Sequence, residues 1–504
     1  MFKYSKILPD PQATDNLAQA LAPYLVPGDV LALTGYLGAG KSHFARALIR
    51  ALGSRQKHLP SPTFTLLQTY DDTRIPVAHT DFYRLGDPSE ADELSLDPFI
   101  EHGLTLIEWA DNAPHICPER TLWVTLEDSE DAAGRLITFT SEDESWHKRF
   151  GFFTPDLQRP VTDKGRKNFV QAVTGKKGQV MTPVAADGSF RSYWRVRQGE
   201  KSQILMDAPP PMESVESFAS VAKILRDNNV HAPKVYHADF QKGYALLEDF
   251  GDTTFGKAVR DGADMLSLYE KAIDVLLHLS STTGTSSVEH VTCESWQDYL
   301  SLFTDWYMPH AKNHATHTAD RRRFRVIIKN LYTPLMQSPM AVMMGDYHCD
   351  NLMLLSEPQD LKAQQKIPDS IDDVGVLDFQ DTLDFQGALI GPSTFDLARF
   401  IYDVRIPQSE NIRNLLTQRF MTPWLNSDKE EGIRQSLRVA SLFHMLRLIG
   451  VLHRLAYRDG KTNFLEYIPT AWQYFLPMLE NWQEAEELAE FVLQKTPTAK
   501  EVAV

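Results

Sequence analysis

Cysteine is scarce: the chain has three in 504 residues, Cys117, Cys293 and Cys349. They lie far apart and form no CxxC pair, which excludes a disulfide-built scaffold and a zinc site made of cysteines. Excess positive charge is missing too. With a net charge of −16, the chain lacks the cation surplus that neutralises phosphates along a nucleic acid, so a broad nucleic-acid-binding face is excluded and contact with RNA is expected only through partner proteins. No uninterrupted apolar run is long enough to cross a bilayer, and the N-terminal segment lacks the apolar core of a secretory signal. Internal repeats and long low-complexity stretches are absent as well. A cytoplasmic protein without membrane contact is expected.

The composition that remains, 43% hydrophobic and 23% charged, is that of an ordinary globular chain. Its length exceeds what one hydrophobic core supports and predicts two to four domains. Two phosphate-handling signatures divide it. The first is Gly35-Tyr36-Leu37-Gly38-Ala39-Gly40-Lys41-Ser42, the G-x-x-x-x-G-K-[ST] pattern in which backbone N–H groups and a lysine surround phosphates and a hydroxyl meets Mg²⁺. An apolar run over 28–35 precedes it, and helically spaced apolar residues up to Gly53 follow it. Strand, loop and helix are therefore predicted in the order that a phosphate loop requires. Gly35, Gly38, Ala39, Gly40, Lys41 and Ser42 are the candidate nucleotide-binding residues.

The second signature is Gly345-Asp346-Tyr347-His348-Cys349-Asp350-Asn351, with Asp378 after the apolar run 374–377. The Asp346-to-Asn351 interval is that of a kinase catalytic loop, where a carboxylate orients the attacking hydroxyl and an amide and a second carboxylate hold metal. Asp346 is the candidate base, and Asn351 and Asp378 are the candidate Mg²⁺ ligands. His348 and Asp350 are read as caps of the loop or as parts of the site. Upstream, Ser189, Phe190 and Arg191 open a turn running into an aromatic-rich strand, a candidate hairpin over nucleotide. Tyr244–Glu248 reads as the hinge between lobes, with Glu248 at the adenine edge. At Ile204-Leu205-Met206-Asp207 there is no lysine where the phosphate-pairing lysine of a small lobe would fall, and Arg191 or Arg195 is expected to compensate. Asp396 is expected to cap the helix it begins or to brace the catalytic loop.

Asp81 and Glu108 end apolar runs, the usual placement for metal or water contacts in open α/β sheets. Together with the phosphate loop and Ser61-Pro62-Thr63-Phe64-Thr65, they give residues 5–145 a resemblance to the TsaE family, the ATPase subunit of the machinery that makes threonylcarbamoyladenosine in tRNA. The resemblance implies that Lys41 and Ser42 bind phosphate and Mg²⁺, that Asp81 sits in the metal shell, that Glu108 assists water or metal, and that Thr63 and Thr65 belong to a switch-like segment. It also implies TsaB- and TsaD-like partner proteins, with tRNA reached through them. Tyr36 stands where the family typically has an aspartate.

Residues 165–485 resemble the aminoglycoside phosphotransferase-like kinases. Gly188-Ser189-Phe190-Arg191-Ser192-Tyr193, Leu205–Pro210, Leu246–Gly251 and Arg454–Lys461 narrow the likeness to the anomeric kinases of N-acetylmuramic acid and N-acetylglucosamine. An amino-sugar acceptor and ATP with Mg²⁺ are implied. A choline, homoserine or aminoglycoside kinase, a pseudokinase, and an N-terminal half serving only as a nucleotide-dependent assembly module are the alternatives. The predicted fold is α/β, a P-loop NTPase domain at 1–147, then a linker at 148–164 where prolines and a glycine interrupt periodicity, and a two-lobed kinase-like α+β domain with its small lobe at 165–252 and large lobe at 253–504.

Overall fold

The computed structural model describes residues 1–129, 134–154, 157, 161–184, 190–199, 201–281, 288–312, 316–355, 371–377 and 389–495. Ser189 and Asp378 lie outside the described residues, as does most of the polar stretch between 355 and 373 that reads as a hairpin tip.

Seven strands form the N-terminal sheet: β1 (Phe2–Leu8), β2 (Val30–Thr34), β3 (Leu67–Tyr70), β4 (Val77–Asp81), β5 (Leu104–Glu108), β6 (Leu122–Asp128) and β7 (Arg135–Ser141), in the order β1-β7-β6-β2-β5-β4-β3. Strand β2 is central and runs parallel to β5 and β6, while β4 runs parallel to β5. Strands β4 and β5 are buried along their whole length, the mark of parallel strands covered on both faces. β1 and β7 at the antiparallel edge alternate buried with solvated positions instead. Helices α1 (Pro11–Leu21), α2 (Lys41–Ala51), α3 (Asp97–His102) and α4 (Ser145–Phe153) pack around it. α2 follows the phosphate loop and buries Phe44, Ala45, Leu48 and Ile49 on one face.

α4 runs through the position where the linker is expected to begin. Its Trp146 and Phe150 are fully buried in the N-terminal core, and Phe150 packs 4.8 Å from Phe139 between ring centroids. These two rings, about one helical turn apart, anchor α4 in the N-terminal core.

The second sheet has the order β11-β12-β10-β9-β8, from β8 (Met181–Pro183), β9 (Ser192–Gln198), β10 (Lys201–Asp207), β11 (Val235–Asp239) and β12 (Tyr244–Glu248). Three strands meander, α6 (Val215–Asp227) crosses over, and the last two strands pair beside β10, the layout of a kinase small lobe. Helix α5 (Asp163–Thr174) covers the outer face, where Phe169 and Val170 meet Val196, Leu205, Tyr244 and Leu246. Period-2 alternation then turns Met206 to the opposite face, into the apolar cluster it shares with Ala245 and Leu247.

The large lobe is mainly helical. Three short strands, β13 (Glu289–His290), β14 (Met340–Met343) and β17 (Leu389–Pro392), form one sheet, and β15 (Leu352–Leu354) pairs antiparallel with β16 (Val374–Val376) in another. The helix Glu430–Tyr457 runs through its core. By length and composition this helix could cross a membrane, yet 78% of its most apolar window is buried inside the protein.

Candidate active sites

The first site lies at the C-terminal ends of β2, β4 and β5. Gly35 closes the turn out of β2 with φ +130°, and a Cβ there would lie 2.3 Å from the Leu126 carbonyl, so only glycine fits. Lys41 then points back over the loop, its Nζ donating to the Gly35 carbonyl at 2.7 Å and the Tyr36 carbonyl at 3.0 Å. The ammonium also lies 3.7 Å from the centre of the Trp109 ring. Burial pushes the Lys41 pKa down, against the opposing pull of Glu108, Asp81 and Asp111.

Ser42 Oγ donates to Glu108 Oε2 at 2.6 Å, and the other Glu108 oxygen meets His79 Nε2 at 2.8 Å. His79 and Glu108 side chains are 0% and 2% exposed, so this contact is sealed from water. Asp81 accepts from Thr63 Oγ1 at 2.7 Å and from the Tyr83 amide at 3.0 Å. Of the predicted residues, Lys41, Ser42, Asp81, Glu108 and Thr63 thus converge. His79 completes the group without having been singled out by sequence; the two-residue spacing to Asp81 on one strand face was the available signal. Serine hydroxyl and carboxylate oxygens are the donor chemistry of Mg²⁺.

The second site is built on the turn after β14. Asp346 Oδ1 accepts from Arg399 Nη2 at 2.6 Å, and Oδ2 accepts from Asn351 Nδ2 at 3.0 Å. His348 Nδ1 accepts from the Asp350 amide at 3.2 Å, and its Nε2 lies 3.4 Å from Asp346 Oδ2. His348 is therefore both the cap of the loop and a neighbour of the candidate base. Desolvation alone would raise the Asp346 pKa, but His348, Arg399 and Arg405 together hold it well below the usual carboxylate range. The group is a permanent anion near neutrality, suited to orienting a hydroxyl rather than to early removal of its proton.

Asp396 braces this loop, as expected. Its two oxygens accept from the Met344 amide at 2.9 Å and the Gly345 amide at 3.0 Å, and burial pushes its pKa up to about 6. Arg399 lies one helical turn further along the same helix, Ser393–Ile401, so one element both shapes the turn and pairs with its carboxylate. Asp350 is held separately by Arg260 at 2.6 Å.

Glu248, expected at the adenine edge, reaches Arg226 with its carboxylate at 3.2 Å, lies 3.5 Å from His231 and accepts from the Lys234 amide. That carboxylate ties α6 to β12 and does not line the cavity at Asp346. Met206 fills the inward-facing position of β10 where a lysine is expected. Arg195 is committed to Asp249 at 2.7 Å and Asp252 at 2.8 Å. Arg191 pairs with Glu213 at 3.4 Å, and both line the cavity that begins at Asp346.

Residues 8–137 match the family model described as threonylcarbamoyl adenosine biosynthesis protein TsaE. The tRNA threonylcarbamoyladenosine biosynthesis protein TsaE of Rickettsia bellii is 37% identical over 142 residues, 28% of this chain and 98% of that protein. The chain belongs to the TsaE family. Its TsaE-family domain is joined to a second enzyme: residues 180–424 match the phosphotransferase enzyme family. The N-acetylmuramate/N-acetylglucosamine kinase of Pseudomonas aeruginosa is 29% identical over 318 residues, covering 62% of this chain and 87% of that protein. The kinase of the same name in Neisseria meningitidis is 27% identical over 335 residues, 63% of this chain and 91% of that one. The chain is thus a fusion of a TsaE-family ATPase domain and a phosphotransferase.

Proposed function

We propose that the protein carries out two ATP-dependent tasks in the cytoplasm. The TsaE-family half hydrolyses ATP in support of threonylcarbamoyl transfer to tRNA adenosine, bound to TsaB- and TsaD-like proteins through which it meets tRNA. The phosphotransferase half moves the γ-phosphoryl group of ATP to the anomeric hydroxyl of N-acetylmuramic acid or N-acetylglucosamine. Mg²⁺, where bound, neutralises phosphate charge; Ser42, Asp81 and Glu108 would hold it in one half, and Asn351 with Asp378 in the other.

In the kinase half, Asp346 accepts the acceptor hydroxyl's hydrogen bond and aims its oxygen at the phosphorus. Arg399 and Asn351 fix the carboxylate, and the Asp396 brace fixes the turn that carries it. Arg191, oriented by Glu213, meets the transferring phosphate in place of the missing lysine. The proton passes to Asp346 late, as the new P–O bond forms. Arg405, Arg454 and Lys461 line this cavity together with acids such as Asp350 and Asp459, a mixed-charge polar environment suited to the hydroxyls of a sugar. The observation that carries the reading is the Asp346 carboxylate, held by Arg399 and Asn351 where it lines that cavity.

The test is an assay of the full chain with ATP and each amino sugar, scored for sugar 1-phosphate. Product from the native protein and none from Asp346→Ala is expected; no product with either sugar overturns the acceptor assignment. For the first half, Lys41→Ala is expected to abolish threonylcarbamoyladenosine formation in a reconstituted system while leaving sugar phosphorylation intact.

A further inference from the structure

The cavity that starts at Asp346 does not end within the kinase. It has a volume of about 1780 Å³ and continues past Arg405 and Lys461 to Asp29, Glu101 and His102 of the TsaE-family half. Small-molecule sites ordinarily run ~300–1,000 Å³, so the acceptor side opens into a larger crevice that the other domain walls. Asp346 and His348 line it, whereas no described residue of β12 does.

The C-terminal end of α4 is built into that wall. Gly151 packs so closely on the small lobe that a Cβ would lie 2.6 Å from Pro211 Cγ and 3.2 Å from Met212 Sδ. Met212 immediately precedes Glu213, the partner of Arg191. The next residue, Phe152, meets Phe190 beside Arg191 at 5.3 Å between ring centroids, and stacks on Tyr24 at 5.4 Å with the planes 6° apart. Arg458 of the large lobe covers both rings, 5.3 Å from Tyr24 and 5.5 Å from Phe152. Phe152 therefore touches the small lobe and the large lobe at once, across the mouth of the cleft.

A second contact pins the same junction. Arg74 of the TsaE-family half lies over Trp306 at 4.5 Å, and Arg321 Nη2 donates to its carbonyl at 3.3 Å. Trp306 sits in a π-helical turn, Phe303–Tyr307, the kind of local departure from α-helix that recurs at functional positions.

We propose that the TsaE-family half is a working part of the kinase: α4 closes the acceptor site and holds the Arg191–Glu213 pair in register with Asp346. Gly151 and Phe152 are then positioning residues for phosphoryl transfer. They touch neither phosphate nor acceptor and act through Met212, Phe190 and Arg458. This rests on the amino-sugar kinase reading of the second half. Displacing a reacting group by an ångström can cost on the order of a hundredfold in rate, so a small shift of α4 is enough to matter.

The experiment uses the full chain carrying Lys41→Ala, so that ATP binding reports the kinase site alone. Gly151→Leu wedges the α4–Pro211 contact, Phe152→Ala removes the ring, and Phe152→Tyr restores it. The first two are expected to raise the acceptor KM and weaken ATP binding by about tenfold, measured at a temperature where each variant is folded, and Phe152→Tyr is expected to return both to within about twofold of the parent. Acceptor KM and ATP affinity unchanged in both Gly151→Leu and Phe152→Ala overturn the inference. Should the parent phosphorylate neither sugar, the acceptor reading falls separately, and the ATP affinities of the same variants still decide whether α4 positions the small lobe. If Gly151→Leu fails to fold, Phe152→Ala decides.

Discussion

Lys41 sits with its ammonium 3.7 Å from the centre of the Trp109 ring while its protons go to the carbonyls of its own loop. An aromatic face and two backbone oxygens occupy the charge that phosphate oxygens would otherwise take, and Trp109 adopts φ 57° to present that face. A nucleotide must replace all three contacts.

Trp109 emission is therefore expected to change when ATP binds the first site. A fluorescence titration checks it: Trp109→Phe should remove the change and Lys41→Met should abolish binding. An equal response from the Trp109→Phe protein would mean that another tryptophan is reporting.

Arg399 supplies the shortest ion pair to Asp346. Arg399→Gln is expected to lower the kinase kcat by roughly 10²-fold, the low end of what a positioned acid or base contributes, with little change in the KM for ATP. Steady-state kinetics with both substrates varied would separate the two constants.

The acid side of the kinase pH profile is expected to report Asp396 rather than Asp346. Asp346 is held well below its usual range and stays ionised, whereas Asp396 has its pKa pushed up to about 6 by burial. As pH falls through about 6, Asp396 takes a proton, grips the Met344 and Gly345 amides less well, and kcat declines. The stability effect has the opposite sign: a carboxyl with a folded pKa above its unfolded value of about 3.9 binds more protons when folded, so its contribution weakens as pH rises from about 4 to about 6 and is flat above. Rate and thermal unfolding followed across the same pH series would test both signs.

Arg191→Met is expected to weaken ATP binding at the kinase site on the order of tenfold, the scale of one charge-assisted hydrogen bond. Glu213→Gln should give a smaller loss in the same direction. ATP titration in the Lys41→Ala background measures both; a larger effect from Arg195→Met would move the lysine's role to Arg195.

Strands and turns that carry the two sites were legible because each signature binds its residues to a fixed local geometry. The phosphate loop needs glycines where a Cβ would meet Leu126, and Asp346 and Asn351 must share one turn. The contacts made from a distance were not legible. Nothing in the run around His79 announces Glu108 as its partner 29 positions later, because strand neighbours depend on sheet order. The contacts of Glu248 were hidden for a related reason: a strand ending in acids gives no sign of which face α6 will cover. Arg399 could have been found, since it follows Asp396 by three residues and must share its helix face. The boundary expected at 147 falls inside a helix whose Trp146 and Phe150 pack in the first core, a helix that Gly151 and the prolines after it mask in the sequence.

Gly151 is helical and carries no positive φ, so alanine would suit α4 better in isolation, by about 1 kcal/mol. A side chain there would meet Pro211 of the phosphotransferase half, 2.6 Å from where its Cβ would stand. The two activities are consequently not interchangeable modules on a string, and substitutions at position 151 are constrained by a reaction whose reacting atoms they never touch.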